Sequence, residues 1–274
     1  MLLAYDPPTM NIEKLLPAWA AAALLARHKP AGQLIVFCGA GLSAPSGLTV
    51  YRGDNGSWTL SPEAQKAMDM RHWPQSRQEA LAHLERWREL VDMAEPNEAH
   101  KRIASWKRTW PQNVHVITQN VDGLLQKAGL SDSEVMEVHG SLHRMRCVDC
   151  KAEWPWAKGV PADTPCPVCG SLMTKPAVVF FHERAPLYPQ MQSVCEPNGR
   201  LPGDVFVAIG TSWHVIPPEF MLQTKGRAPG LQIGVDARSM PEMEPWLHEQ
   251  CELGAVAGCE WAQRKFLTHW RSLR

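Results

Sequence analysis

Four cysteines in two Cys-x-x-Cys pairs are the residues whose spacing points most directly to a chemistry. The pairs are Cys147 with Cys150 and Cys166 with Cys169, and 15 residues separate them. Each pair can place two thiolates on one tetrahedral ion through a tight turn. Four sulfurs fill the coordination shell and leave no position for water, so the spacing predicts one structural Zn²⁺ per chain. The alternative is a set of free buried thiols.

A glycine-rich stretch indicates a second chemistry, the binding of a dinucleotide. The apolar run 34–38 leads directly into Gly-Ala-Gly-Leu-Ser-Ala at 39–44. Glycines in such a loop let the backbone approach a pyrophosphate, and a following helix N-terminus supplies N–H groups. An ordinary dehydrogenase is disfavoured, because the acidic residue expected at the end of the second strand is missing. Arg52 in the next loop would suit a phosphate, although a lone surface arginine is more common.

Amide and carboxylate side chains follow the apolar run 114–117. Gln119, Asn120 and Asp122 leave the end of this predicted strand together, at the edge where α/β sheets bind their ligands. Their directional donors and acceptors suit a carboxamide and ribose hydroxyls. The alternative is that Asn120 and Asp122 only cap the next helix.

His139 is the candidate general base. It follows the apolar stretch 135–138 and precedes the first cysteine pair. The pKa of an imidazole lies near neutrality, as a general base requires. Gly140 permits a sharp turn that could direct the ring into a cleft. One histidine among 11 carries little weight by itself, so this assignment depends on its neighbours.

The elements that must position these groups are read from hydrophobic patterning. Four short apolar runs end in glycine or polar residues, which predicts an α/β fold with a doubly wound parallel sheet. Helical periodicity at 78–94 predicts a helical insert, and 259–270 predicts a closing helix. The predicted division is a Rossmann-like domain (28–50, 107–143 and 177–274), the helical insert (51–106) and a small zinc-binding module (144–176).

Charge and composition exclude several classes of partner. The 28 basic and 28 acidic residues cancel, so no global field attracts nucleic acid or an anionic membrane. Residues 151–165 contain no basic run, which argues against a nucleic-acid-binding zinc ribbon. The apolar stretch 18–26 is shorter than the roughly 20 residues of a membrane span. With no basic segment before a cleavable apolar stretch either, the sequence predicts a cytoplasmic protein, and the cysteine usage suits a metal site in a reducing compartment.

Taken in order, these motifs resemble the signature of the sirtuin (Sir2-like) family. The resemblance runs from about residue 34 to residue 267. It implies a Rossmann-like domain, a zinc module and, between them, a cleft for NAD and acyl-lysine. The motifs are Gly39-Ala40-Gly41-Leu42-Ser43, Ser46-Gly47, Tyr51-Arg52-Gly53, the run 118–124, His139-Gly140, the four cysteines and Gly210-Thr211-Ser212.

The resemblance also implies roles for individual residues. His139 and Asn120 would be catalytic, with Asn120 and Asp122 forming the carboxamide pocket and Gln119 touching the nicotinamide ribose. The NAD phosphates would lie near the loops after the first predicted strand. The adenosine would lie near the loops after the third and fourth predicted strands. The remaining residues expected to contact NAD are Gly39, Ala40, Gly41, Ser43, Tyr51, Arg52, Gly210, Thr211, Ser212 and Asp236.

The family's reaction consumes NAD and removes acyl groups, most often acetyl, from lysine. The acyl oxygen attacks the ribose carbon as nicotinamide leaves, and His139 would take a proton from a ribose hydroxyl. The products are free lysine, nicotinamide and O-acyl-ADP-ribose. The substrate peptide would add as a strand to Val179, Phe180 and Phe181. An ADP-ribosyltransferase, an NAD glycohydrolase and an inactive zinc-ribbon interaction protein are the open alternatives.

Several positions depart from the family pattern. Leu125, His182 and Asp236 replace the usual His, Gly and Asn, and Tyr51 replaces Phe. Relatives that accept acidic acyl groups carry a Tyr and an Arg on the helical insert, and alignment places Leu84 and Trp87 there. This apolar pair predicts a preference for neutral acyl groups. The alternative is that both residues only pack in the helix core.

Overall fold

A computed structural model describes residues 25, 27–49, 62–73 and 75–274. The predicted loop residues Tyr51 and Arg52 lie outside these ranges. Strands and helices alternate along most of the described chain. The strands are β1 (Leu34–Cys38), β2 (Val114–Thr118), β3 (Val135–Glu137), β4 (Gly140–Cys147), β5 (Glu153–Pro155), β6 (Thr174–Val178), β7 (Val205–Ile209), β8 (Leu231–Asp236) and β9 (Glu249–Glu252).

Six of these strands form one parallel sheet in the order β3-β2-β1-β7-β8-β9. When these six strands are renumbered 1 to 6 along the chain, their order in the sheet is 3-2-1-4-5-6, the order of a Rossmann fold. The central strands β1 and β7 are buried along their whole length, because helices cover both faces. Strand order reverses between β1 and β7, which is where such sheets open a ligand crevice at their carboxyl ends.

The helices cover the sheet on both faces, as the predicted fold class requires. Successive residues of β1 point into different cores: Leu34 and Val36 into one and Ile35 and Phe37 into the other. The first core includes α3 and α6, and the second includes α5. The helices are α1 (Pro62–Ala67), α2 (Arg77–Met93), α3 (Glu98–Thr109), α4 (Leu124–Lys127), α5 (Tyr188–Cys195) and α6 (Ala255–Ser272).

A third core joins the helical insert to the small sheet β5-β4-β6. Leu84 of α2 lies in it with Met145 of β4 and Trp156, and all three are almost fully buried. The apolar side of α2 therefore serves to attach the insert to the cysteine-rich segment. The exact limits of the three predicted units stay a prediction.

The predicted α/β fold is confirmed, and the four apolar runs are four of the six sheet strands. Strand β9 was not predicted, because its residues are Glu-Gln-Cys-Glu and mostly exposed at the sheet edge. The helix predicted at 78–94 is α2, and that at 259–270 lies within the longer α6. Among the described residues, no helix has the length and apolar character needed to cross a membrane.

Candidate active site and zinc cluster

A cleft of about 660 Å³ opens at the carboxyl ends of β1, β2, β7 and β8. The loops after these strands line its inner side. His139, Tyr188 and the segment that follows β6 line the other side. Of the residues predicted to contact NAD, those that line the cleft are Gly39, Ala40, Gly41, Gln119, Asn120, Gly210, Thr211, Ser212 and Asp236.

Two glycine loops meet at the floor of the cleft without intervening side chains. A Cβ on Gly39 would lie 2.5 Å from the Gly210 carbonyl oxygen, and one on Gly41 would lie 2.6 Å from the Gly210 Cα. The Gly41 N–H donates to the Gly210 carbonyl over 2.9 Å. Gly210 itself has a φ of 61°, which a residue without Cβ adopts most easily. The glycines thus bring the loops after β1 and β7 into backbone contact.

Gln119 and Asn120 connect these loops to the end of β2. Gln119 Nε2 donates to Thr211 Oγ1 at 2.9 Å. Asn120 Nδ2 donates to the Gly39 carbonyl and to Ser43 Oγ, each at 3.1 Å. Asn120 Oδ1 is buried and, within the part of the chain that the structure describes, has no hydrogen-bond partner. A buried acceptor without a partner costs about 1–3 kcal/mol, so this atom fits a ligand that brings an N–H donor.

Ser43 and Asp122 do not line the cleft but lie buried behind Asn120. Ser43 Oγ donates to Asp122 Oδ2 at 2.6 Å, and Asp122 Oδ1 accepts the Leu124 N–H at 3.0 Å. Asp122 therefore binds the first N–H of α4, whose N-cap is Gly123, and also holds the serine. Burial raises the pKa of the Asp122 carboxyl, while the Ser43 hydrogen bond opposes that rise.

His100 completes this buried network. Its Nδ1 lies 3.3 Å from the Asn97 N–H, which donates to it, so the ring proton is on Nε2. Nε2 lies 3.4 Å from Ser43 Oγ. Asn97 is the N-cap of α3 and also donates to the Leu42 carbonyl over 2.9 Å. The start of α3 thereby fixes both the glycine loop and the hydroxyl behind Asn120.

We expect His100 to make the folded protein less stable below about pH 6. Burial lowers the pKa of His100 to about 4, from an ordinary value of about 6.5. Between these values the unfolded chain binds a proton that the folded chain does not. His100 therefore leaves the free energy of unfolding unchanged above about pH 6.5 and lowers it progressively as the pH falls towards 4. The loss amounts to at most about 1.4 kcal/mol per pH unit.

The variant His100→Gln tests this prediction because glutamine keeps an N–H donor for Ser43 and is neutral at every pH. Denaturant unfolding of both proteins across the range from about pH 7 to about pH 4.5 gives the free energy of unfolding. The wild-type curve should fall more steeply than the variant curve. Parallel curves would show that His100 does not take up a proton on unfolding.

His139 is held at both ring nitrogens. Nδ1 lies 3.1 Å from the Gln119 carbonyl oxygen, which can only accept, so Nδ1 carries the proton. Nε2 is then the acceptor, and the Tyr188 hydroxyl donates to it over 2.9 Å. Burial lowers the pKa of His139 to about 4, although the Gln119 hydrogen bond opposes the shift. The imidazole is therefore neutral at pH 7, the form that a general base requires.

Gly140 allows the chain to leave His139 and enter the small sheet. Its φ is 83°, and a Cβ there would lie 1.8 Å from the Ala177 carbonyl oxygen. Gly140 pairs with Val178 across the β4 and β6 ladder, and the Val179 N–H donates to the His139 carbonyl over 2.9 Å. The antiparallel sheet of the cysteine-rich segment thus holds His139 and the residues after β6 side by side.

The four cysteines of the predicted metal site lie together. Cys147 Sγ is 3.7 Å from Cys169 Sγ, Cys150 Sγ is 3.6 Å from Cys166 Sγ, and all four sulfurs lie within 4.8 Å of one another. A tetrahedral Zn²⁺ with Zn–S bonds of about 2.3 Å requires sulfurs about 3.8 Å apart. The cluster therefore fits a structural zinc ion.

Comparisons with known proteins give the same answer as the geometry. Residues 39–217 match the model of the Sir2 family. The chain is 34% identical over 184 residues to an NAD-dependent protein deacylase of Campylobacter jejuni, covering 67% of this chain and 76% of that protein. It is 38% identical over 199 residues to NAD-dependent protein deacetylase 2 of Streptomyces coelicolor, covering 66% and 76%. The chain belongs to the Sir2 family.

A solved structure of a Sir2 homolog–NAD complex has the same fold. It superposes with a TM-score of 0.69 at 26% identity and covers 94% of this chain and 95% of the other. The sirtuin resemblance and the Rossmann-like fold predicted from sequence are therefore confirmed.

Position 182 departs from the Sir2 pattern at a strained backbone position. His182 has a φ of 61°, a left-handed conformation that glycine adopts without the cost a Cβ brings. Its Nδ1 lies 3.2 Å from Asp69 Oδ1, and Arg71 binds the same carboxylate at 2.6 Å. Asp69 also pairs with Phe181 in a parallel bridge. His182 therefore contributes to the cleft lining while tying this segment to the helical insert.

The segment predicted to bind the substrate uses its own N–H groups within the protein. The Val179 N–H donates to His139, the Phe180 N–H to Glu183 Oε2 at 2.9 Å, and the Phe181 N–H to the Met68 carbonyl at 2.9 Å. A substrate strand cannot accept from these N–H groups unless the present bonds break. Strand addition at this segment stays a prediction.

The two residues predicted to contact the acyl group have different surroundings. Trp87 lines the cleft, whereas Leu84 does not and is fully buried in the third core. Both residues lie on the apolar stripe of α2, one turn apart, but Leu84 packs inside the third core whereas Trp87 is only partly buried against it. For Leu84 the structure agrees with the alternative interpretation of a core residue.

Three cleft or support residues were not predicted from the sequence. Tyr188 stands in no motif, and no pattern signals its contact with His139. Arg238 lines the cleft and donates through Nε to Asp236 Oδ1 at 3.1 Å. His100 could have been inferred from Asn97, because an asparagine N-cap followed three residues later by an acceptor side chain is a helix-start signal.

Proposed function

We propose that this Sir2-family enzyme removes acetyl and other neutral acyl groups from protein lysine side chains, with His139 as the general base. The chain is an NAD-dependent protein deacylase. The observation that carries the proposed roles is that one cleft contains a neutral His139 and Asn120 Oδ1, which has no hydrogen-bond partner among the described residues. NAD supplies a ribose carbon from which nicotinamide departs as the acyl oxygen attacks.

We assign the nicotinamide pocket to Asn120, supported from behind by Ser43 and Asp122. Both hydrogens of Asn120 Nδ2 are used by Gly39 and Ser43, which fixes the amide so that Oδ1 is the atom left without a partner in the described part of the chain. A carboxamide N–H₂ is the complementary donor. Gln119 lies next to this pocket and is assigned to the nicotinamide ribose.

The diphosphate and adenosine are assigned to the meeting point of the two glycine loops. Gly39, Ala40 and Gly41 leave the backbone open to a pyrophosphate. Arg52 is assigned to the same phosphates. Thr211 and Ser212 follow Gly210, and Asp236 lies at the end of β8. One oxygen of Asp236 accepts from Arg238, and the other is suited to a ribose hydroxyl.

His139 is assigned the proton of a ribose hydroxyl. Because Nδ1 donates to the Gln119 carbonyl, only Nε2 can accept a proton. Its pKa of about 4 keeps the ring unprotonated at neutral pH, and the developing imidazolium retains the Gln119 carbonyl as a partner. Nicotinamide release that requires an acyl-lysine peptide tests the proposal, and equal release without peptide would favour an NAD glycohydrolase.

We expect kcat/KM for a succinyl-lysine peptide to be at least about 100-fold lower than for the acetyl version. The cleft beside Trp87 is lined by apolar Met68, Val121 and Phe180. A carboxylate desolvated there without a partner costs several kcal/mol, and each 1.4 kcal/mol is about tenfold. Butyryl-lysine should be accepted, because a longer apolar chain gains contact area.

Neither arginine beside Trp87 on α2 is placed to compensate a succinyl group. The Arg88 guanidinium lies 4.3 Å above the Trp156 ring centre and 3.7 Å from Asp92, and Arg86 does not line the cleft. The variant Trp87→Arg serves as the matched comparison, because it should raise the succinyl-to-acetyl ratio of kcat/KM. A wild-type preference for succinyl would contradict this account of the acyl pocket.

Acyl-lysine proteins are the proposed partners, and a cytoplasmic location is the proposed setting. Both the location and the absence of nucleic-acid or membrane binding rest on composition and charge. We propose that the 144–176 module holds one structural Zn²⁺ through Cys147, Cys150, Cys166 and Cys169. The ion's role is to fold this module, since four thiolates leave no open coordination position.

A further inference from the structure

Tyr188 contacts His139 at Nε2, the atom assigned as the proton acceptor. Tyr188 is the first residue of α5, and both residues line the cleft. Oη and Nε2 are 2.9 Å apart, and the ring centres are 6.0 Å apart at an interplanar angle of 47°. Among the described residues, no other hydrogen bond reaches Nε2 of His139.

The direction of this hydrogen bond follows from the other side of the ring. The Gln119 carbonyl fixes the proton on Nδ1, so Nε2 has only a lone pair and the tyrosine must donate. A neutral imidazole nitrogen has a single in-plane lone pair. A ribose hydroxyl therefore cannot donate to Nε2 while Tyr188 does. Either the phenol leaves before the reaction, or the proton passes through it.

The packing of Tyr188 favours the second possibility. Its ring is half-buried against the second core, together with the neighbouring Leu187. Ring packing of this kind resists a swing of the side chain away from His139. The phenol oxygen also keeps acceptor capacity after donating to Nε2, so one face of Oη is available to a hydroxyl bound in the cleft.

We propose that Tyr188 is a second catalytic residue, which relays the proton of the ribose hydroxyl to His139. This proposal rests on the proposed deacylase function. The ribose O–H bond breaks and an O–H bond forms at Oη, while the original Oη–H bond breaks and an N–H bond forms at Nε2. The phenol is neutral before and after the transfer, and the imidazole becomes imidazolium. The ribose oxygen keeps the electron pair with which it attacks the acyl carbon.

The two transfers must be concerted. Burial raises the pKa of Tyr188 to about 12, so a free phenolate is not a stable intermediate at neutral pH. Concerted transfer avoids that charge. Burial lowers the pKa of His139, so Nε2 is unprotonated before the reaction. Its lone pair is therefore available to accept the phenol proton.

Tyr188→Phe is the direct test, because it keeps the ring and removes only Oη. With NAD and an acetyl-lysine peptide, the rate of acetyl-ADP-ribose formation should fall at least about tenfold, within the range of lost acid–base catalysis. Exchange of labelled nicotinamide into NAD precedes the proton transfer and should change less than about twofold. His139→Ala should show the same pattern, and Tyr188→Phe should cause no further loss when added to it.

An observation without NAD separates this proposal from the deacylase assignment. In the free protein, ¹⁵N NMR of the His139 ring should show a protonated Nδ1 and a hydrogen-bonded Nε2. In Tyr188→Phe the Nε2 resonance should move towards that of an imine nitrogen without a hydrogen bond. An unchanged resonance would overturn the proposal whatever the activity.

The kinetic results also test the proton relay. Acetyl transfer by Tyr188→Phe at the wild-type rate or faster would show that the phenol only blocks Nε2 and leaves, which overturns the relay. Equal loss of exchange and transfer would show a structural role and would also overturn it. A wild-type protein that forms no acyl-ADP-ribose would instead overturn the deacylase function on which the relay rests.

Discussion

Replacing His139 by alanine should lower the deacylation rate by about 10²- to 10⁴-fold, the usual cost of removing a general base. The change removes Nε2, the only ring atom of His139 able to accept a proton. It should leave the fold intact, because the ring lies in the cleft and not in one of the cores. NAD binding measured by calorimetry should be nearly unchanged.

His269→Ala provides the matched control. His269 lies on α6, outside the cleft, and its Nε2 contacts the Pro202 carbonyl oxygen. This variant should deacylate at the wild-type rate. If His139→Ala kept wild-type turnover, the general-base role would be wrong. If it lost NAD binding and thermal stability in the same proportion as activity, the residue would be structural.

Removing zinc should abolish activity by unfolding the cysteine-rich module. In structural zinc sites the free energy of metal binding is also free energy of folding. The module holds the catalytic side of the cleft, since β4 begins directly after His139 and β6 ends directly before Val179. Metal analysis should find about one zinc per chain. A strong chelator should release it and expose 144–176 to proteolysis.

Cys150→Ser and Cys251→Ser form the matched pair for this test. Cys150 belongs to the four-sulfur cluster, whereas Cys251 lies in the edge strand β9. Only Cys150→Ser should lose zinc and activity together. Carefully prepared protein that contains no zinc yet deacylates would refute the structural role of the metal.

The sequence predicted those features whose chemistry is local. The Cys-x-x-Cys pairs needed only their spacing, and the glycines after β1 needed only the apolar run before them. The four buried strands were found because strands covered on both faces are apolar throughout. β9 was missed for the converse reason: an edge strand of Glu, Gln and Cys shows no such pattern.

Features that depend on distant contacts could not be predicted in the same way. Leu84 and Trp87 are three residues apart on one helix, yet only Trp87 reaches the cleft. The difference depends on how α2 rests on β4 and not on residue type. Tyr188 meets His139 across 49 residues, and no periodicity in the chain signals that contact. His100 lies 57 residues from Ser43, although its place near a helix start was readable.

Mass analysis of the products formed from NAD and an acetyl-lysine peptide tests the central claim most directly. Sirtuin chemistry at this cleft predicts equal amounts of nicotinamide, deacetylated peptide and O-acetyl-ADP-ribose, with none formed when peptide is omitted. Free ADP-ribose without deacetylated peptide, or protein labelled with ADP-ribose as the main product, would contradict the assignment of this Sir2-family chain as a lysine deacylase.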